Sequence, residues 1–167
     1  MNTAELVRRA NIRMELLRRV SAFCTDVEDL KVIYIQFVRN VLEHSAVVWH
    51  SAITEQNATD LERVQKNAFR IILGDKYKSY ENARKLLNLD SLKVRREKLC
   101  LRFALKTSKH PKMKKMFPKQ EKEHIMKTRN PEKFIVHHAK TERMKKSPII
   151  FMQNMLNENE KEIRERI

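Results

Sequence analysis

Gly74 is the only glycine in 167 residues, and four prolines accompany it. Antiparallel sheets need turn residues at short intervals, and tight hairpins draw heavily on glycine. This chain cannot supply those turns, so an all-β fold is excluded. Charged residues make up 34% of it, with leucine, lysine, glutamate, arginine and methionine as the main stock, and these are strong helix formers. The expectation is an all-α fold: a helical bundle of about five to six helices, with a basic, partly irregular arm before a C-terminal helix.

Apolar spacing locates the helices. Leu6, Ala10, Met14, Leu17 and Val20 recur at three and four, which places them on one face of a helix from Asn2 to Ala22. Asn2 with Glu5, and Thr25 with Glu28, have the spacing of capping boxes. Leu30, Ile33, Tyr34, Phe37, Val38, Val41 and Ser45 mark a second helix running to about Val48. Its end, Ala46 to Trp49, is apolar all round and is expected in the core, with Trp49 packing there rather than stacking on a base. Thr54 caps a third helix that Gly74 ends, because glycine tolerates the left-handed backbone. Leu61, Val64, Ala68, Ile71 and Ile72 face inward. Ser79 opens a short helix through Asn88. Ser91 caps a fifth, which Pro111 limits, with Leu92, Leu99, Cys100, Phe103 and Ala104 on its apolar side. Ser147 caps the last, with Pro148 at its first position. That helix runs to about Arg166, with Ile149, Met152, Met155 and Leu156 on one side.

These elements divide the chain into a bundle over residues 1–110, a basic arm over 111–146 and a C-terminal helix over 147–167. Apolar residues thin out in the arm, which reads as partly disordered with little core of its own. Phe134, Ile135 and Val136 have the character of an extended segment.

Charge is concentrated. Residues 93–146 hold 19 basic and 5 acidic groups, against 14 and 12 in residues 1–92. A block this basic attracts a polyanion, of which RNA and DNA are the commonest. Two stripes present themselves. Arg63, Lys66 and Arg70 share one helix face. Arg95, Lys98, Arg102, Lys106 and Lys109 recur at three and four along the fifth helix. Lys112, Lys114 and Lys115 add a basic cluster just beyond it.

Several chemistries lack their residues. The five aspartates, Asp26, Asp29, Asp60, Asp75 and Asp90, include no adjacent pair of the kind that holds two metal ions at a nucleotidyl-transfer site. There is no glycine-rich phosphate loop, and the serines sit in no nucleophile-elbow pattern. Cys24 and Cys100 have neither metal-ligand nor redox spacing and are expected as reduced, buried thiols. His137 and His138 lack partners at finger spacing, so no metal and no cofactor is expected. No apolar stretch approaches the roughly 20 residues that span a bilayer. Arg8, Arg9 and Arg13 precede no apolar region of a secretory signal, which points to an intracellular protein.

A longer pattern links these segments. Leu42 through Thr54, then Leu61-Glu62-Arg63-Val64-Gln65-Lys66 and Arg70-Ile71-Ile72-Leu73-Gly74, resemble the region after the polymerase palm in reverse transcriptases of non-LTR retrotransposons, particularly the jockey-like group. Leu86 through Leu92, Arg95 through Cys100, and Lys109-His110-Pro111-Lys112 continue the likeness. So do Met116-Phe117-Pro118, Asn130 through Phe134, Thr141-Glu142-Arg143 and Ser147-Pro148-Ile149-Ile150. Order and spacing are similar from about Leu16 to Asn157.

The resemblance implies a thumb-like bundle and downstream basic segments. In that family these grip the primer–template duplex and hold element RNA. The Tyr-x-Asp-Asp pattern of the palm and the endonuclease residues are absent, so the expected role is non-catalytic: binding RNA or an RNA–DNA primer–template. A palm supplied by another chain is a further expected partner, and a nuclear or cytoplasmic ribonucleoprotein the expected setting. The alternative is a degenerate or domesticated element fragment, acting as a protein-interaction module or with no selected function.

Overall fold

The computed structural model describes residues 3–23, 26–119 and 133–158, and these are helical almost throughout. No strand forms among them; the extended segment at Phe134 makes a single antiparallel bridge with Lys119. Asn2, Cys24, Thr25, Ile125, Met126, Asn130 and the stretch from 159 to Arg166 lie outside the described residues. Two compact units result, one from residues 1–46 with 53–96 and the other from 47–52 with 97–167. The division between these units falls at 96/97, inside a helix.

In the first unit α1 (Thr3–Ser21) buries Leu6, Ala10, Met14 and Leu17. Glu5 pairs with Arg8 at 2.7 Å and Arg9 at 2.8 Å. α2 (Val27–Ile33) is capped by Asp26, whose carboxylate accepts from the Glu28 amide at 2.9 Å. The cap is thus one residue later than the Thr25 box predicts.

The second predicted helix is not one regular rod. It widens into a π-helical stretch at Tyr34–Arg39 and resumes as α3 (Asn40–Leu42). It then breaks at Ser45, whose φ is 52°. The buried residues are Leu30, Tyr34, Val38 and Leu42, four apart each time. An α-helix of 3.6 residues per turn would rotate such a series off one face; a wider turn holds it in line. Phe37, expected inside, is 45% exposed.

α4 (Ala46–Trp49) follows the break. Ala46 and Trp49 are buried, but Val48 is 67% exposed, so this end is not core on every side. These interruptions, with a short extra helix near the C-terminus, carry the helical segments slightly beyond five to six.

α5 (Glu55–Leu73) starts where Thr54 accepts from the Asn57 amide at 3.2 Å and stops at Gly74, φ 49°. It buries Leu61, Val64, Gln65, Ala68, Phe69, Ile72 and Leu73; Ile71 is half-buried. The Phe69 ring meets Tyr34 edge-on and stacks on Tyr80, both at 5.7 Å. α6 (Tyr80–Leu87) is capped by Ser79 and ends at Asn88 in the left-handed conformation. The Tyr34 hydroxyl donates to Gln65 Oε1 at 2.8 Å, and Gln65 Nε2 donates to the Tyr80 hydroxyl and to the Asp90 carbonyl. Every polar atom of the buried Gln65 amide thus has a partner, as burial requires.

The second unit is built around Cys100, Ala104, Phe117, Met152 and Leu156. Its helices are α7 (Leu92–Lys109), which begins in the first unit, α8 (Glu142–Lys145) and α9 (Pro148–Glu158). α9 buries Ile150, Met152, Gln153 and Leu156, while Ile149 and Met155 are half-buried at its flanks. The Cys100 side chain is fully buried in this cluster.

The described part of the arm is not coreless. Phe117 is 3% exposed, and Phe134 packs against the same cluster. Two amides one turn apart on α9 hold its backbone. Asn157 Oδ1 accepts from the Phe134 amide at 2.9 Å, and Asn157 Nδ2 donates to the Phe134 carbonyl at 3.0 Å. Gln153 accepts from the His137 amide at 3.1 Å and donates to the Met116 carbonyl at 2.9 Å. Composition alone read this stretch as poor in core; side-chain amides supply the ladder bonds it cannot make with a strand.

Candidate nucleic-acid interface

The basic stripe of α7 depends on what the helix buries. Leu92, Arg96, Cys100, Ala104 and Thr107 are buried, four and three residues apart, and so define one side. Lys98, Arg102 and Lys106 stand on the opposite side and are exposed. The buried side is not the predicted one throughout. Arg96 is 1% exposed while Phe103 is 38% exposed, and Leu99 is half-buried. The register accounts for Arg96, which falls four residues from both Leu92 and Cys100 and so lies on the buried line.

Arg95 begins the stripe but is engaged within the first unit. Its Nε donates to Glu43 Oε1 at 3.0 Å, and Arg39 approaches the same carboxylate oxygen at 3.5 Å. The Glu43 side chain is only 12% exposed, so the pair is shielded from solvent. A phosphate would have to compete with that carboxylate for Arg95. Arg102 and Lys106 form no ion pair among the described residues.

Lys112, Lys114 and Lys115 are all exposed on the turns that follow α7. Met116 and Phe117, directly after them, pack on the core of the second unit. The cluster therefore stands next to a fixed point, not on a free tail.

On α5, Arg63 pairs with Asp60 at 3.2 Å. Lys66 is exposed with no ion pair among the described residues. The Arg70 guanidinium lies over the Tyr77 ring at 5.5 Å, and its Nη1 donates to Asn67 Oδ1 at 3.4 Å.

α1 lies beside α5, and the groove between them adds residues that the linear pattern did not single out. One cavity of about 310 Å³ is lined by Asn11, Asn57, Asp60, Arg63 and Asn67 among others. A second, of about 490 Å³, is lined by Asn11, Arg18, Asn67 and Arg70. Lys66 lines neither. In sequence, Asn11 and Arg18 are seven apart, like Arg63 and Arg70, a repeat of about two turns. That spacing is the one signal of a shared flank; which helix would face it depended on packing.

Comparison with protein-family models, with curated proteins and with solved structures returns no match for this chain. No group of three or more His, Cys, Asp or Glu among the described residues could hold a metal ion. No helix among them is long and apolar enough to cross a membrane. The chemistry the surface offers is cationic: guanidinium and ammonium groups on exposed helix faces.

Proposed function

We propose that the chain is a non-catalytic C-terminal fragment of a non-LTR retrotransposon reverse transcriptase, from its thumb and post-palm region. It binds RNA or an RNA–DNA primer–template through basic helix faces, within an intracellular ribonucleoprotein. One observation carries the reading: Lys98, Arg102 and Lys106 share the exposed side of α7, inside the segment holding 19 basic and 5 acidic groups. Lys112, Lys114 and Lys115 extend the same supply of charge. Cations held in line on a helix meet successive phosphates and release their counterions, so affinity falls steeply with salt. Aromatic side chains are mostly packed inside, which favours phosphate and shape recognition over reading of splayed bases.

The test is anisotropy binding of a labelled primer–template across salt concentrations, with heparin as competitor. Replacing Lys98, Arg102 and Lys106 by glutamine is expected to weaken binding and to lower the salt slope by roughly one for each phosphate no longer neutralised. An unchanged slope removes the α7 face from the reading. Equal, weak binding to every polyanion favours a degenerate or domesticated fragment with no nucleic-acid role of its own. Primer extension by this chain alone is expected to be nil.

A further inference from the structure

The two cavities along α1 and α5 share Asn11 and Asn67 and so form one groove. Both helices run past it in the same direction: Asn11 stands opposite the Arg63–Asn67 turn, and Arg18 opposite Arg70. Three guanidinium groups line it, those of Arg18, Arg63 and Arg70. Asn11 and Asn67 place amides between them, and an amide both donates and accepts. Packed helices have axes only about 8–10 Å apart. The furrow between helices packed that closely is too narrow for a duplex to enter, and a duplex would meet the outer faces of the helices with its phosphates. An extended single strand is the narrower ligand.

We propose that the α1–α5 groove holds a single strand of polynucleotide by its phosphates. The site is made of residues other than those of the α7 face. The inference rests on the reading of the chain as nucleic-acid-binding and deepens it by assigning the strand class to a place. The guanidinium groups contact phosphate oxygens, and the two amides bond to phosphate, sugar or base edges without selecting one base. Asp60 sets the affinity. Its carboxylate lies on the groove wall, paired with Arg63 at 3.2 Å. An arriving phosphate must displace it from Arg63 and tolerate its charge.

The experiment uses the full chain and two probes, a labelled oligouridine and a labelled RNA–DNA duplex. Asp60→Asn is expected to tighten oligouridine binding several-fold. Glu81→Gln makes the same change of charge on α6, outside the groove, and is expected to do little. Arg63→Ala with Arg70→Ala is expected to weaken oligouridine binding far more than duplex binding, and to reduce the oligouridine salt slope by roughly two. Arg63, Arg70 and Glu81 are exposed and Asp60 is half-buried, and far-UV circular dichroism verifies that the variants keep their helices. If Asp60→Asn and Glu81→Gln act alike, or the double arginine variant loses both probes equally, the groove is not a strand site. If the α7 variant loses the duplex while the groove variants change nothing, the groove assignment alone fails. If the unmodified chain binds neither probe, both readings fail.

Discussion

The Glu62 carboxylate accepts a hydrogen bond from the backbone amide of Lys93 at 2.7 Å. It also accepts from the Leu92 amide at 3.3 Å and from the Tyr80 hydroxyl at 2.6 Å. A residue in the middle of α5 therefore caps the start of α7, where helix amides lack partners and negative charge is favoured. Ser91 caps the same end from within the sequence, accepting from Val94 at 3.3 Å. Replacing Glu62 by alanine removes an acceptor from three donors at once. The expected loss is about 2–3 kcal/mol of stability, read as a lowered urea midpoint. Glu62→Gln keeps an acceptor and is expected to lose less. Equal losses would mean that a neutral acceptor preserves none of the stabilisation and that the charge carries it.

Alkaline pH should destabilise the first unit. Burial, chiefly, raises the Tyr34 hydroxyl well above its ordinary value of 10.0. Tyr80 is likewise raised, by burial first and then by its hydrogen bond to Glu62. In the folded state both keep their protons to higher pH than they do unfolded. Their contribution is therefore full below pH 10.0 and is lost as pH rises above it through the folded values. Denaturation midpoints followed upward from about pH 8 should fall beyond that point. Tyr34→Phe with Tyr80→Phe should flatten the fall while lowering stability at neutral pH. An equally steep fall in the double variant would assign it elsewhere.

At the other end of the scale, α1 should keep its first turn in moderate acid. Hydrogen bonds from Arg8 and then Arg9 hold the Glu5 carboxyl down from 4.5 to about 2. The contribution is present above the ordinary value and is lost as pH falls through the folded one. The window is thus from 4.5 down to about 2. A carboxyl-carbon NMR titration should give Glu5 a midpoint near the lower figure. Arg8→Gln with Arg9→Gln should return it toward the ordinary one.

The clasp of Asn157 on Phe134 makes a local prediction. Asn157→Ala deletes both hydrogen bonds and is expected to cost about 1–2 kcal/mol. Amide hydrogen exchange should quicken at Phe134. Asn154→Ala, on the exposed side of α9, is expected to change neither. Unaltered exchange at Phe134 would show that packing of its ring, and not the amide, holds the segment.

Local chemistry made much of the fold legible in the sequence. Thr54, Ser79 and Gly74 end their helices as their side chains and backbones dictate, because a cap acts on amides within three residues of itself. Leu6, Ala10, Met14 and Leu17 are inside as their spacing requires. The all-α class follows from the same local preferences, with a single glycine to make turns.

The tertiary structure decided what periodicity cannot express. Arg95 has the spacing of the α7 stripe, yet Glu43, 52 residues earlier, holds its guanidinium. Arg96 carries a charge and is buried; Phe103 is apolar and half out. Arg18 joins Arg70 only because α1 lies along α5. Met116, Phe134 and His137 in the described part of the arm are held by Gln153 and Asn157, whose amides meet backbone far away in sequence. A sequence pattern records which residues share a face. Which face then meets which neighbour is settled by long-range packing and by the partners that buried polar groups must find.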